Sequence, residues 1–242
     1  QPNNQICSTL IFDPARNYAS TAPQKVEAGT DAIGLHIENG NTPLPPDIVA
    51  FHSLISASKG SQTTICDGIN VLKNLTPSLK KLFSSPMTVK RYLEKPIWQQ
   101  YVANTLGISN AETIDQKKLD WFLKKMPGQY ALASENGGID YRMRFSPIRL
   151  DNLCHTPSFA NAVLGPSFNY QTPIYQFSDG TTLSDDIKKE LENLCETFIQ
   201  EIEWENGDVA ILDNKRFMHG RRTIQVPPEQ RQLHIGMGIG LN

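Results

Sequence analysis

The sequence predicts a mainly β protein with flanking helices, folded as a single domain over residues 1–242. Three observations lead there. Strand-like segments recur at both ends of the chain, at Ile33 to Glu38, Asp47 to Ile55, Thr63 to Cys66, Val209 to Leu212 and Arg231 to Leu241. Stretches with helical spacing fall between them. No internal repeat or low-complexity linker interrupts a length of 242 residues, which barrels and sandwiches often use as one domain. Lys+Arg 23 against Asp+Glu 25 gives 23 − 25 = −2 with no block of one sign, so neither nucleic acid nor an anionic membrane is expected as partner. No apolar run approaches the roughly 20 residues of a membrane span.

In order along the chain, Ile33 to Glu38 reads as a strand with His36 and Glu38 on one face and Leu35 and Ile37 on the other; Pro43, Pro45 and Pro46 end it. Asp47 to Ile55 and Thr63 to Cys66 are separated by the polar turn Ser58-Lys59-Gly60-Ser61. Leu72, Leu75, Leu79, Leu82 and Phe83 predict short helices, the second opening at Thr76-Pro77. From Ser84 to Ser146 the pattern weakens into short pieces around one clear helix, Gln116 to Met126, stopped by Pro127-Gly128. Residues 84–146 are expected to form an insertion that acts as a lid.

Tyr175 to Phe177 and the turn Ser178-Asp179-Gly180 lead to the best helix, N-capped by Ser184. Asp185 and Asp186 lie in its first turn, and Ile187, Leu191, Leu194, Cys195, Phe198 and Ile202 make its apolar stripe. In the last strand Leu233, Ile235, Met237, Ile239 and Leu241 share a face, and Arg231 has the same parity. A guanidinium there is costly to bury unless an anion meets it, which reads as a carboxylate-binding position. Cys7, Cys66, Cys154 and Cys195 form no C-x-x-C pair and are expected to be free, mostly buried thiols. With no signal peptide visible, although the chain opens at Gln1 rather than Met, the expected location is the cytoplasm.

His36-Ile37-Glu38, with His219 far downstream, carries the chemistry. Residues i and i+2 of a strand project from one face, so an imidazole and a carboxylate converge there. A second histidine from a distant strand completes a two-His, one-carboxylate set, the arrangement that non-heme Fe(II) oxygenases use. The bland alternative is a hydrogen-bonded pair at a strand edge.

These residues, with Thr63-Thr64-Ile65-Cys66-Asp67 and the run Trp204-Glu205-Asn206-Gly207-Asp208-Val209-Ala210-Ile211-Leu212-Asp213-Asn214 leading to His219-Gly220-Arg221, resemble the iron(II)/2-oxoglutarate dioxygenases of the taurine dioxygenase and clavaminate synthase-like group. The resemblance runs from about Gly34 to Asp67 and from about Phe177 to Gly238. It implies a double-stranded β-helix, or jelly roll, with helices outside, and His36, Glu38 and His219 as iron ligands. It also implies Fe(II), 2-oxoglutarate and O2 as the reacting set, a small-molecule substrate, and succinate and CO2 as products.

Thr63 lies 63 − 36 = 27 positions after the first histidine, where the family commonly places a threonine on a 2-oxoglutarate carboxylate. Arg231, 231 − 219 = 12 positions after the second histidine, matches the arginine that pairs with the far carboxylate. Arg221 reaches the cosubstrate or braces its strand. Arg144-Phe145 resembles an Arg-aromatic segment near the active site of amino-acid oxygenases, and Arg142 shares the strand face of Arg144 by parity, against the bland reading of a solvated edge.

Glu38 stands where aspartate is more usual. It resembles the subset acting on arginine and asparagine, so the implied reaction is hydroxylation of an amino acid or an amino-acid-derived metabolite, of the kind met in secondary metabolism. The alternatives are an oxidative cyclase or desaturase with the same cofactors, or a non-catalytic metal-binding jelly roll.

Overall fold

The computed structural model describes residues 16–18, 24–26, 29–126, 128–165 and 172–238. In chain order the elements are β1 (Arg16–Tyr18), β2 (Gln24–Val26), β3 (Ile33–His36), β4 (Ile48–Ile55), β5 (Thr63–Asp67), α1 (Gly68–Asn74), α2 (Pro77–Phe83), β6 (Met87–Leu93), α3 (Lys95–Leu106), α4 (Gln116–Lys124), β7 (Gln129–Ala133), β8 (Ile139–Phe145), β9 (Ile148–Leu150), β10 (Pro157–Phe159) and β11 (Ile174–Gln176). The chain then continues through α5 (Asp185–Glu196), β12 (Ile199–Ile202), β13 (Val209–Asp213), β14 (Phe217–Arg221) and β15 (Gln232–Gly238).

Two antiparallel sheets, ordered β1-β2-β15-β4-β13 and β12-β5-β14-β3, make the double-stranded β-helix that the sequence resemblance implies. Side-chain alternation fills the space between them. Val49 and Phe51 of β4, Leu212 of β13, and Leu233, Ile235 and Met237 of β15 form one core, joined by Ile65, Trp204 and Phe217. The other face of the second sheet supports a larger core. There Cys66 and Met218 meet Val71, Leu79 and Phe83 of the α1–α2 pair and Leu191 and Cys195 of α5. Strands β5 and β14 are therefore covered on both faces, which removes the clean polar alternation a half-exposed strand shows.

The helix starts follow their caps. Thr76 Oγ1 accepts from Leu79 N with Pro77 at the first position, Asp115 accepts from Lys118 N, and Ser184 accepts from Ile187 N with Asp185 and Asp186 behind it. Residues 84–146 are more ordered than their weak periodicity suggests. β6 and β8 lie side by side in a third sheet, β11-β6-β8-β7, whose inner residues Met87, Val89, Leu93, Tyr141, Met143 and Phe145 belong to the larger core.

Three boundaries differ from the sequence expectation. The strand expected to reach Glu38 stops at His36, because Ile37 N donates to Asn161 O at 3.0 Å rather than to a sheet neighbour; Glu38 then sits in a turn. The stripe expected to run through Ile202 ends with α5 at Glu196, and Ile199–Ile202 is instead β12, paired with β5. Arg231 precedes β15 instead of opening it. Of the cysteines, Cys66 and Cys195 are buried, Cys154 is exposed and all three are free. Cys7, Ile239 and Leu241 lie outside the described residues. Among the described residues no helix is long and apolar enough to cross a membrane.

One glycine marks where the helical layer meets the barrel. A Cβ at Gly68 would lie 2.4 Å from Ser158 Oγ, 2.5 Å from Phe159 O and 2.8 Å from Arg216 O. Two of these are backbone carbonyls that cannot step aside cheaply. Gly68→Ala is expected to lower stability by roughly 2–3 kcal/mol in urea denaturation. An unchanged midpoint would mean that β10 and the turn before β14 yield to a methyl group.

Candidate metal centre

Strand register brings the two histidines together. His219 of β14 is the cross-strand partner of His36 of β3 on one side and of Ile65 of β5 on the other. The pairing with β3 shifts between His219 and Arg221, a bulge that Gly220 permits: a Cβ there would lie 2.4 Å from Ile33 O and 2.8 Å from Thr64 Oγ1. The imidazole rings lie 4.5 Å apart between centroids, and Phe51 meets the His219 ring edge-on at 5.1 Å. His36 Nδ1 is 2.8 Å from Gly34 O, so a proton on Nδ1 leaves Nε2 as the lone-pair nitrogen. His219 Nδ1 is buried without a hydrogen-bond partner among the described residues, so packing alone orients this ring.

Glu38 arrives from the turn after β3 and is 3% exposed. Its Oε2 lies 3.6 Å from His219 Nε2, too long for a hydrogen bond but close enough for both atoms to face one cation. One ligand atom from each of His36, Glu38 and His219 lies within 4.8 Å of the others. Two imidazoles and a carboxylate, two of the three residues buried, form a donor set that suits iron. The residues present fit the metal.

The Glu38 turn is fixed by Asn214, which closes the motif run that begins at Trp204 but was given no role there. Its carboxamide accepts from Glu38 N at 2.8 Å and donates to Glu38 O at 3.1 Å and Pro46 O at 2.8 Å. Asn214 is 1% exposed, so two buried hydrogen bonds tie the ligand turn to the β13–β14 turn and a third ties Pro46 to it.

Further along the same interior, Arg221 is the cross-strand partner of Thr63, with Arg231 close by. Thr63 is 3% exposed and its hydroxyl accepts from Trp204 Nε1 at 2.9 Å. Arg231 is 7% exposed and its Nε donates to Ser61 Oγ at 2.8 Å. Burial pushes the Arg231 guanidinium down to about 10, and the neighbouring Arg221 charge adds to the effect. Burial likewise pushes Arg221 down to about 10, against the opposing pull of Asp31. Both stay charged at neutral pH, so the fold keeps two cations in a dry place. Arg221 Nη2 donates to Gly29 O at 2.9 Å and Asp31 O at 2.7 Å, bracing the backbone ahead of β3.

Arg142 and Arg144 share a face of β8, as their parity predicts, but it is the face turned away from the larger core. Arg142 lies over the Tyr130 ring at 5.6 Å and Arg144 is exposed. No described contact joins either to the triad. His52 and His234 face each other at 6.3 Å on the outer side of the first sheet, and His155 is exposed in the β9–β10 loop. Besides Asn214, sequence reading assigned no role to Trp204, Ser61 or Phe51. For Trp204 the signal lay in its place just ahead of Gly207-Asp208.

The model of the Taurine catabolism dioxygenase TauD, TfdA family matches residues 8–237 of this chain. No curated protein matches the sequence. Among solved structures, the chain is similar to a Burkholderia xenovorans protein assigned as an alpha-ketoglutarate-dependent taurine dioxygenase, with TM-score 0.55, 12% identity, and coverage of 98% of this chain and 71% of that one. AAD-2, solved in complex with Mn(II) and N-oxalylglycine, gives TM-score 0.50 at 14% identity over 85% of this chain and 68% of that one. A taurine dioxygenase from Burkholderia xenovorans gives 0.51 at 11% identity over 86% and 58% respectively. At such identities the likeness is one of fold, and the chain spans between 58% and 71% of the length of these three structures.

Asn214→Ala removes both side-chain bonds to the Glu38 backbone, and with them the one to Pro46 O. Divalent-metal affinity is expected to fall roughly ten- to a hundredfold, the usual effect of losing a residue that orients a ligand. Calorimetric titration with Mn(II), with circular dichroism to confirm folding, measures it. Wild-type affinity in a folded variant would show that β3 alone places Glu38.

Proposed function

We propose, from the premise that the chain belongs to the taurine catabolism dioxygenase TauD, TfdA family, that it is an iron(II)- and 2-oxoglutarate-dependent oxygenase that hydroxylates an amino acid or an amino-acid-derived small metabolite. The observation that carries this reading is a buried two-His, one-carboxylate set sharing an interior with two buried guanidinia and a threonine hydroxyl. A barrel that merely stored a metal would have no use for Arg231, whose buried guanidinium is costly without an anion.

His36, Glu38 and His219 would hold the iron. When bound, iron supplies the oxidising chemistry: one O2 and one 2-oxoglutarate are consumed, succinate and CO2 leave, and a substrate C–H becomes C–OH. The protein's own part is binding and exclusion. Arg231 presents its two terminal nitrogens to the far carboxylate as a fork, and Thr63 adds a hydroxyl. Arg221 raises the positive potential at that end. Phe51, Leu233 and Ile235 line the space between the sheets with apolar surface that keeps water out. Segment 84–146 is the proposed cover of the site, and Arg142 and Arg144 the proposed contacts to a substrate carboxylate. The amino-acid class rests on Glu38 in place of aspartate.

Adding 2-oxoglutarate to anaerobic Fe(II)-loaded protein is expected to produce a weak visible absorption band that Zn(II)-loaded protein does not give. Its absence at saturating 2-oxoglutarate would favour a metal-only barrel. His219→Ala should remove metal binding and succinate formation together in a folded protein, and a fully active variant would take His219 out of the set.

Arg231→Gln should weaken 2-oxoglutarate roughly ten- to a hundredfold, since hydrogen bonds to charged groups contribute about 1.5–3 kcal/mol. Fe(II) affinity should hardly change. Unaltered 2-oxoglutarate affinity in the folded variant would move the clamp to Arg221.

A further inference from the structure

The two residues that touch the proposed clamp are both placed to use up its alternatives. Trp204 follows β12 and sits on a turn clipped to β4. Glu205 N donates to Asp208 Oδ2 at 2.8 Å, Gly207 N to Ser53 O at 2.7 Å, and Ser53 N to Asp208 O at 2.9 Å. This fixes the indole, whose N–H can only donate, 2.9 Å from Thr63 Oγ1. Thr63 must accept from it. The hydroxyl proton is then turned away from Trp204, and Thr63 meets a ligand as a donor.

Ser61 does the equivalent for Arg231. It occupies the β4–β5 turn with Gly60, at φ 72° and 71° respectively, a left-handed conformation that serine rarely adopts. Its backbone is held there by Ser61 N donating to Thr223 O at 3.0 Å, and its side chain is 3% exposed. The hydroxyl accepts the Arg231 Nε proton at 2.8 Å. With Nε occupied, the guanidinium offers a ligand its two terminal nitrogens, the edge that meets a carboxylate with two parallel bonds.

We propose that Ser61 and Trp204 are positioning residues that make the far end of the pocket a set of hydrogen-bond donors only, and thereby select a 2-oxo acid carrying a second carboxylate over one with a neutral end. The inference rests on the reading of that pocket as a 2-oxoglutarate site. Neither residue touches the ligand; each fixes the donor that does.

Two ligands separate this role from plain structural support: 2-oxoglutarate, and 2-oxopentanoate, which has the same carbon count but ends in a methyl group. Each is titrated anaerobically against the Fe(II)-loaded full chain, following the absorption band, with Fe(II) affinity measured separately. A wild-type band with 2-oxoglutarate establishes the pocket; no band overturns the pocket and this inference with it.

Given the band, Trp204→Phe, which keeps the ring and loses the N–H, is expected to weaken 2-oxoglutarate roughly five- to tenfold, the effect of about one hydrogen bond. Binding of 2-oxopentanoate and Fe(II) should stay as in wild type. In a Thr63→Val background the same change should add nothing. Ser61→Gly keeps the left-handed backbone and should also weaken only 2-oxoglutarate. Equal weakening of both ligands, or an effect of Trp204→Phe that adds in full to Thr63→Val, would reduce these residues to packing and overturn the proposal.

Discussion

The register between β14 and β3 is the constraint on which the site depends. Side chains alternate along a strand, so slipping this pairing by one residue would turn His219 toward the helices and bring Met218 and Gly220 inward. Register is held here from both sides: β14 pairs with β5 as well as with β3, and its two faces commit to different cores. Met218 must reach the larger core and Phe217 the smaller one, so apolar packing on both faces places the imidazole before any metal is considered.

The interior that results is electrically asymmetric. A carboxylate enters at the Glu38 turn, while two buried guanidinia, with the charge of Arg221 pressing on Arg231, stand where β15 and β14 meet the β4–β5 turn. Without an anion at that end the arrangement is costly, since like charges are held together in a space that water hardly reaches. A dicarboxylate spanning from the metal to the arginines would offset that cost along its whole length.

Much of this was legible in the sequence, for reasons that differ by residue. His36, Glu38 and His219 stood out because the H-x-E pair, common by itself, is joined by a distant histidine and by the surrounding motif runs in family order, and the inward parity of Leu233, Ile235 and Met237 follows from simple alternation. Asn214 lay inside the motif run from Trp204, but its role was not legible, because its three bonds reach partners far away in sequence, at Glu38 and Pro46. β6 was hidden because Arg91, 4% exposed, interrupts the apolar positions of a strand that is otherwise regularly alternating. β12 was hidden because Phe198 and Ile202 happen to continue the spacing of α5, and only pairing with β5 distinguishes a four-residue strand from another helical turn.

Protection from solvent differs sharply across the three ligands. His219 lies on a strand hydrogen-bonded to neighbours on both sides and covered on both faces, the kind of segment whose amides exchange with water only in near-global opening events. Glu38 hangs on a turn whose next residue, Asn39, adopts φ 53°, and its backbone is held by one side chain rather than by a ladder. The carboxylate is therefore the ligand whose placement a single substitution can alter without touching the sheet that carries the imidazoles, so affinity for an ion can vary independently of the stability of the fold.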